Sequence, residues 1–354
     1  SSLLLFLRAL ETDRWRDWLA LSAAVGLGLL AKYSMGLFLL CALAVLWIDH
    51  RPRLAGPKPW IAVLLALTFL LPNLAWNLDH QFATLRHTAE ISQLDRKLFH
   101  PDSFLYFAAA QFVVMGPLLL PALIRAAVDR RAWRSDPLQR LLAIFSVPVL
   151  GLFLLLSLLS RANANWAAPA YVAATVLAVS WLARENRRRW FAAAVAVNLI
   201  MAATLYHWHR IAPAAGIELG RRTDPFDKLH GWNAAGERVA DHLRKMGCRA
   251  VAAGDRTAIT ELTYYARRAL GEPVAPLSWN PAGIIRHHFD LTADVARMGS
   301  GCAILVGGFD AQRLRRSFTQ VEALAPVPVP FEGRPQPMPA WRVAGFRGYE
   351  GAGR

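Results

Sequence analysis

The chain has 354 residues, 55% of them hydrophobic, and a mean hydropathy of +0.27, which excludes an ordinary soluble protein of this length. Its 40 Lys and Arg against 25 Asp and Glu give a net charge of +15. Over residues 1–206 the basic excess gathers in short loops between apolar segments, so it reports membrane topology and not nucleic-acid binding, for which no aromatic-interleaved basic stripe is present. Long charge-poor segments fill residues 1–206, whereas 207–354 reads as a globular domain.

The chain starts Ser1-Ser2-Leu3-Leu4-Leu5-Phe6-Leu7-Arg8, with no initiator Met, no signal-peptide pattern and too few apolar residues to span a bilayer. It reads as the end of a helix, and the chain as the C-terminal part of a longer protein. Residues 18–48 then carry a single charge, Lys32. Arg8, Arg14 and Arg16 precede this run, and Arg51, Arg53 and Lys58 follow it. One continuous helix would put the two basic clusters on opposite sides of the membrane, against the positive-inside bias. A break at Lys32-Tyr33-Ser34 returns both to the cytoplasm and carries Lys32 towards the opposite face. Each arm is about 14 residues, or roughly 21 Å, short of the ~30 Å hydrocarbon core, so Lys32 sits in a recess. The plainer reading is a lysine snorkelling at an ordinary turn.

Residues 59–78 span next, interrupted by Pro72, and 79–102 form a polar loop with Asp79, His80, Arg86, His87, Glu90, Asp95, Arg96 and Lys97. Residues 103–127 span again, with Gln111 inside and Pro117 and Pro121 as kink sites. The spans 138–159 and 167–183 enclose a polar corner at 160–166, and 190–206 is the last span. The basic loops 51–58, 125–134 and 184–189 read as cytoplasmic. Alternation then places Lys32, the 79–102 loop, the 160–166 corner and the tail together on the other face.

The tail mixes periods. Residues 233–246, 257–268 and 310–317 are helical, 249–253 and 302–306 strand-like, and 341–346 a final strand, with a stiff, irregular proline-rich segment over 326–339. Cys41 lies in an apolar helix. Cys248 and Cys302 lie in the tail, as a disulfide or as two buried thiols. No metal-ligand spacing is present and no metal ligand is assigned. No cofactor is demanded, and a divalent ion stays open.

Polar groups at the mouth of a membrane recess suit a lipid-linked phosphate, whose tail needs hydrocarbon and whose head needs cations. Lys32 supplies a point charge, and Arg161 or Arg86 a forked partner. Tyr33 and Trp166 suit a sugar, or an interfacial aromatic belt. His87 and Glu90 share a helical face for acid–base work, or form a solvated pair. Asn163 and Asn165 suit sugar hydroxyls, or a helix end. No nucleophile constellation is visible, and Asp79 and Glu90 are weak candidates for a base.

These motifs resemble a known family. Gly26-Leu27-Gly28-Leu29-Leu30-Ala31-Lys32-Tyr33-Ser34 is similar to the hairpin signature of bacterial polyprenyl-phosphate-sugar glycosyltransferases, relatives of protein O-mannosyltransferases and of the lipid A aminoarabinose transferase. Leu71-Pro72-Asn73-Leu74-Ala75-Trp76-Asn77, running into Phe82-Ala83-Thr84-Leu85-Arg86-His87, resembles that family's helix and loop. Ser160-Arg161-Ala162-Asn163-Ala164-Asn165-Trp166 resembles its later periplasmic corner. The resemblance implies a membrane all-α, GT-C-type set of spanning helices over 1–206, followed by a small soluble α/β domain over 207–354. It implies a multi-pass protein of the bacterial inner membrane with that domain in the periplasm. Its implied partners are membrane lipids, an undecaprenyl-phosphate sugar donor and a lipid, glycan or protein acceptor. Lys32, Tyr33, Arg161 and Trp166 match positions at the donor phosphate. The family's acidic catalytic motif is expected upstream of residue 1, which leaves the chain alone inactive. A transporter with an intramembrane lysine, a polysaccharide ligase or polymerase using lipid-diphosphate sugars, and a membrane-anchored receptor are the rival readings.

Overall fold

The structure is a computed structural model that describes residues 2–80, 82, 84, 99–160, 162–220, 223–331 and 334–349. The chain divides into two compact units, Ser1–Ala203 and Thr204–Arg354. Arg86, His87, Glu90 and Arg161 lie outside the described residues.

The regular structure described in the first unit is all helical. Among the described residues, four helical segments are long and apolar enough to cross a membrane: Pro57–Asp79, Pro137–Leu159, Ala164–Arg184 and Arg188–Tyr206. The expected span over 103–127 is instead a bent pair, Pro101–Val114 and Leu119–Ala127, turned through 107°. Gly116 allows the turn by adopting φ +90°, and Pro117 follows it. From the last helix, Asn198 donates to the Met115 carbonyl at 3.3 Å and Trp190 to the Leu118 carbonyl at 3.0 Å, so the freed backbone at the bend has partners.

The apolar run does break. Helix Trp15–Ala31 stops at Lys32, and helix Gly36–Asp49 continues after one 3-10 turn. The arms double back, because the chain after the second arm bonds to the chain before the first. Arg53 donates to the carbonyls of Ala9 (2.9 Å) and Leu10 (2.5 Å), and Lys58 donates to the Asp13 carbonyl at 2.7 Å. Asp13 holds a left-handed φ of 47°, which a short polar residue tolerates. The Lys58 ammonium and the Trp18 indole N–H on its carboxylate hold its pKa below the ordinary value.

The second arm ends at Asp49, which receives Arg140 from helix Pro137–Ile144. Arg140 Nε lies 2.9 Å from both carboxylate oxygens, and Nη2 donates as well. Close by in the sequence, Asp129 caps helix Arg130–Ser135 and takes Arg184 at 2.7 Å. Basic loops from three parts of the chain thus meet at one end of the bundle.

The second unit is a five-stranded sheet in the order β2-β1-β3-β5-β4. The strands are β1 (Ala250–Ala253), β2 (Ala275–Ser278), β3 (Cys302–Val306), β4 (Phe318–Phe331) and β5 (Arg334–Phe346). β1 pairs parallel with β2 and β3, and β5 runs antiparallel to β3 and β4. β1 is fully buried, and alternate residues of β1 and β3 feed two separate apolar clusters, one on each face of the sheet.

The proline-rich segment is not irregular: it is the β4–β5 hairpin. Pro328 opposes Pro337, and Pro330 opposes Pro335. Facing prolines can occupy only non-hydrogen-bonded pairs, where the ring nitrogens point away from the partner strand. β4 is the edge strand, and β5 pairs with β3 only from Ala340 onwards, so these facing prolines owe no bond to a third strand. β2 escaped the sequence reading because its residues, Ala275-Pro276-Leu277-Ser278, include a proline and no continuous apolar run.

Cys248 and Cys302 form a disulfide, and Cys41 is a buried free thiol. The bridge closes 54 residues, which in the chain-entropy account contributes about 4 kcal/mol. Alkylation of the denatured, unreduced protein is expected to tag Cys41 alone, and to tag all three cysteines after reduction. Arg140→Ala is expected to lower the thermal midpoint in detergent, since an unpaired, largely buried Asp49 costs roughly 3–5 kcal/mol. Asp49→Ala combined with Arg140→Ala is expected to cost less than the sum of the single changes; additive losses argue against the pair.

Candidate functional site

Lys32 marks where the first helix ends. Its N–H makes the last helical bond, to Gly28 O at 2.9 Å, and its backbone turns extended, with φ −160° and ψ 125°. The glycines before it permit close packing. A Cβ at Gly26 would meet the Phe69 ring at 2.5 Å, and one at Gly28 would meet Met35 Cγ at 2.9 Å. The Lys32 side chain is exposed, and among the described residues it has no hydrogen-bond or ion-pair partner. An ammonium in this setting is free to take an anionic ligand.

Beside it, a chain of polar groups joins two parts of the sequence. The Tyr33 hydroxyl donates to Asn73 Oδ1, and buried Asn77 donates to the same oxygen (3.1 Å) and to the Asn73 carbonyl (2.9 Å). Asn77 Oδ1 in turn accepts the Thr84 N–H at 3.2 Å. Sequence reasoning named the 71–77 block as a motif but not Asn73 and Asn77 as site residues. Two amides four apart in an apolar helix were the available signal.

The second polar corner follows Ser160, which is extended at the end of helix Val147–Leu159. Asn163 and Asn165 are exposed, and Trp166 is half-buried against the apolar core of this unit. His100 N–H reaches the Leu158 carbonyl at 2.8 Å, and the Ser103 hydroxyl reaches the Ser160 carbonyl at 3.3 Å, so the 99–103 segment lies on this corner. Tyr171 donates to Gln111 and, at 3.3 Å, to the Ala164 carbonyl. Among the described residues, no hydrogen bond joins this corner to Lys32 or Tyr33.

Helix direction still gives both corners the same end. The Asp49–Arg140 pair fixes the far end of the helix leaving Lys32 and, near Arg140, the start of the Pro137–Leu159 segment. From Arg140 to Ser160 is about 30 Å at 1.5 Å per residue, which carries the corner back to the Lys32 end.

In the second unit, a cleft of about 1160 Å³ opens at the carboxyl ends of β1 and β3. Gly254, Asp255 and Thr257 line it after β1, and Gly307, Gly308 and Phe309 after β3. The chain leaves β1 for β2 on one side and returns to β3 on the other. This is the switch point at which open α/β sheets bind ligands.

A polytopic helical bundle with an unpaired lysine at a broken apolar run, joined to a small α/β unit, defines the class as a multi-pass membrane protein. Comparison with known proteins narrows it. Residues 1–76 match the PMT_2 family, dolichyl-phosphate-mannose-protein mannosyltransferase. Lys32, Tyr33 and Asn73 fall inside that match. The lipid A galacturonosyltransferase RgtD of Rhizobium johnstonii is 40% identical over 166 residues, which is 46% of this chain and 34% of that protein. The chain thus spans about a third of the length of the curated relative it matches. No solved structure matches. The superfamily resemblance read from the motifs agrees with both matches.

Proposed function

We propose that these residues belong to an integral-membrane glycosyltransferase that moves a sugar from a polyprenyl phosphate to an acceptor on the periplasmic side of the bacterial inner membrane. The observation that carries this reading is the unpaired Lys32 at the helix break, beside Tyr33, Asn73 and Asn77 and inside the segment that matches the mannosyltransferase family. A monophosphate leaving group gains charge as the glycosidic bond breaks, and a pre-placed ammonium stabilises that charge. The acceptor hydroxyl attacks the anomeric carbon opposite the phosphate, which inverts the centre. Arg161 supplies a second, forked contact to the phosphate, and Trp166 an aromatic wall. Asn163 and Asn165, with Arg86, His87 and Glu90, are assigned to the sugar and acceptor hydroxyls.

The acceptor proton is assigned to no carboxylate of residues 1–354. Among acceptors, a lipid is preferred, because the 40% identical relative is named for lipid A; its name also suggests a uronic acid as the sugar. The Cys248–Cys302 disulfide supports a periplasmic second unit, since such bonds persist in oxidising compartments.

In the whole protein that carries these residues, Lys32→Ala is expected to cut transfer from a labelled polyprenyl-phosphate sugar by at least about a hundredfold, in line with loss of one transition-state charge contact. Lys32→Arg is expected to retain part of the activity. Turnover close to the unsubstituted level in Lys32→Ala, at equal expression, rules out the phosphate contact.

A further inference from the structure

We propose that His209, Asp224 and His230, in the second unit, form a binding site for a divalent transition-metal ion of the zinc type. The inference is independent of the glycosyltransferase reading. The three residues lie 15 and 6 positions apart, with no ligand spacing that a sequence would advertise, yet one donor atom from each lies within 4.8 Å of the other two. His209 Nε2 is 3.0 Å from Asp224 Oδ2, and His230 Nδ1 is 3.2 Å from the same oxygen.

The backbone holds this convergence in place. His209 belongs to helix Trp208–Ala214, and the neighbouring Trp208 indole donates to the Thr223 carbonyl at 2.6 Å. That bond pins the helix to the turn that carries Asp224. Asp224 N–H bonds to Gly220 O at 2.8 Å, Asp227 N–H to Asp224 O at 3.2 Å, and His230 N–H to Asp227 O at 3.3 Å. Successive turns therefore deliver the carboxylate and the second imidazole to one point. The Asp224 side chain is only 5% exposed, and its other oxygen accepts the Phe226 N–H at 2.8 Å. A second bond of this kind is what orients a ligating carboxylate. The His209 ring also packs against Phe226, with centroids 5.6 Å apart.

The donor set selects the ion. Two imidazole nitrogens and one carboxylate oxygen suit zinc and its neighbours, whereas calcium and magnesium prefer oxygen alone. In a tetrahedral site with bonds of about 2.0–2.1 Å, donor atoms stand roughly 3.3 Å apart. The observed 3.0 and 3.2 Å are close to that spacing, so each imidazole already stands near the right distance from the carboxylate oxygen. Three protein donors leave a further position for water or a ligand group, as in zinc sites that are not closed. Asp224 also lines the cleft at the ends of β1 and β3, so a bound ion stands at the margin of that cleft.

The test is metal binding by the purified, chelator-stripped full chain in detergent, titrated with Zn2+ by calorimetry and with Co2+ by visible absorption. The expected result is one saturable site per chain and Co2+ bands of nitrogen-containing, low-coordinate geometry. Combined His209→Gln and His230→Gln is expected to weaken binding at least about tenfold, the lower bound for loss of an outer partner. The exposed His288→Gln is expected to leave binding unchanged. A thermal midpoint in detergent close to that of the unsubstituted chain shows that the double variant is folded. Absence of a saturable site in the unsubstituted chain, or undiminished binding in the folded double variant, overturns the proposal.

Discussion

A lysine ammonium in the middle of an apolar helix costs about 2.5–3.5 kcal/mol in a membrane. Residues 18–48 avoid that cost by ending one helix at Lys32 and starting another within a few residues. Once the run is broken, Arg53 and Lys58 fold its two arms together by bonding the carbonyls of Ala9, Leu10 and Asp13. The returning arm carries Asp49 to the basic end, where Arg140 receives it. The Pro137–Leu159 segment departs from there and ends at the second polar corner. The placement of Lys32, Tyr33 and the 162–166 corner thus depends on one backbone turn.

The two units solve the same burial problem differently. In the helical unit, several polar residues bond to one another or to carbonyls, as Gln111 does with Tyr171 and Phe107. Asn77, Asn73 and Tyr33 follow the same rule beside the break, where unpaired amides in hydrocarbon would be expensive. In the second unit, the parallel strands β1 and β3 are closed in by apolar clusters on both faces, which leaves their carboxyl ends as the open side. The cleft and the His209–Asp224–His230 triad both belong to that unit.

Much of this was legible in the sequence, for physical reasons. A single charge in 31 apolar residues, flanked by two basic clusters, is hard to accommodate except by a reversal, and the reversal is there. The strands at 249–253 and 302–306 were visible as short apolar runs bounded by turn residues. What escaped depends on contacts distant in sequence. Tyr33 meets Asn73 across 40 positions, and the sequence left open whether Cys248 and Cys302, 54 apart, are bridged or free. The prolines of 326–339 misled because proline weighs against a strand, and only the facing of Pro328 with Pro337 and of Pro330 with Pro335 shows that these four cost no ladder bond. The bend falls beside Pro117, a kink site read from the sequence, but its 107° angle was hidden because hydropathy continues through it unchanged.

The central claim is that the chain turns back at Lys32, so that the basic clusters on either side share one face and Lys32 lies at the other. Single cysteines at Arg14, Lys32 or Arg51, in a Cys41→Ser background, test it by labelling spheroplasts with a membrane-impermeant maleimide. The account predicts that Lys32→Cys reacts in intact spheroplasts and that Arg14→Cys and Arg51→Cys react only after lysis. Labelling of Arg14→Cys and Arg51→Cys from opposite sides would contradict it.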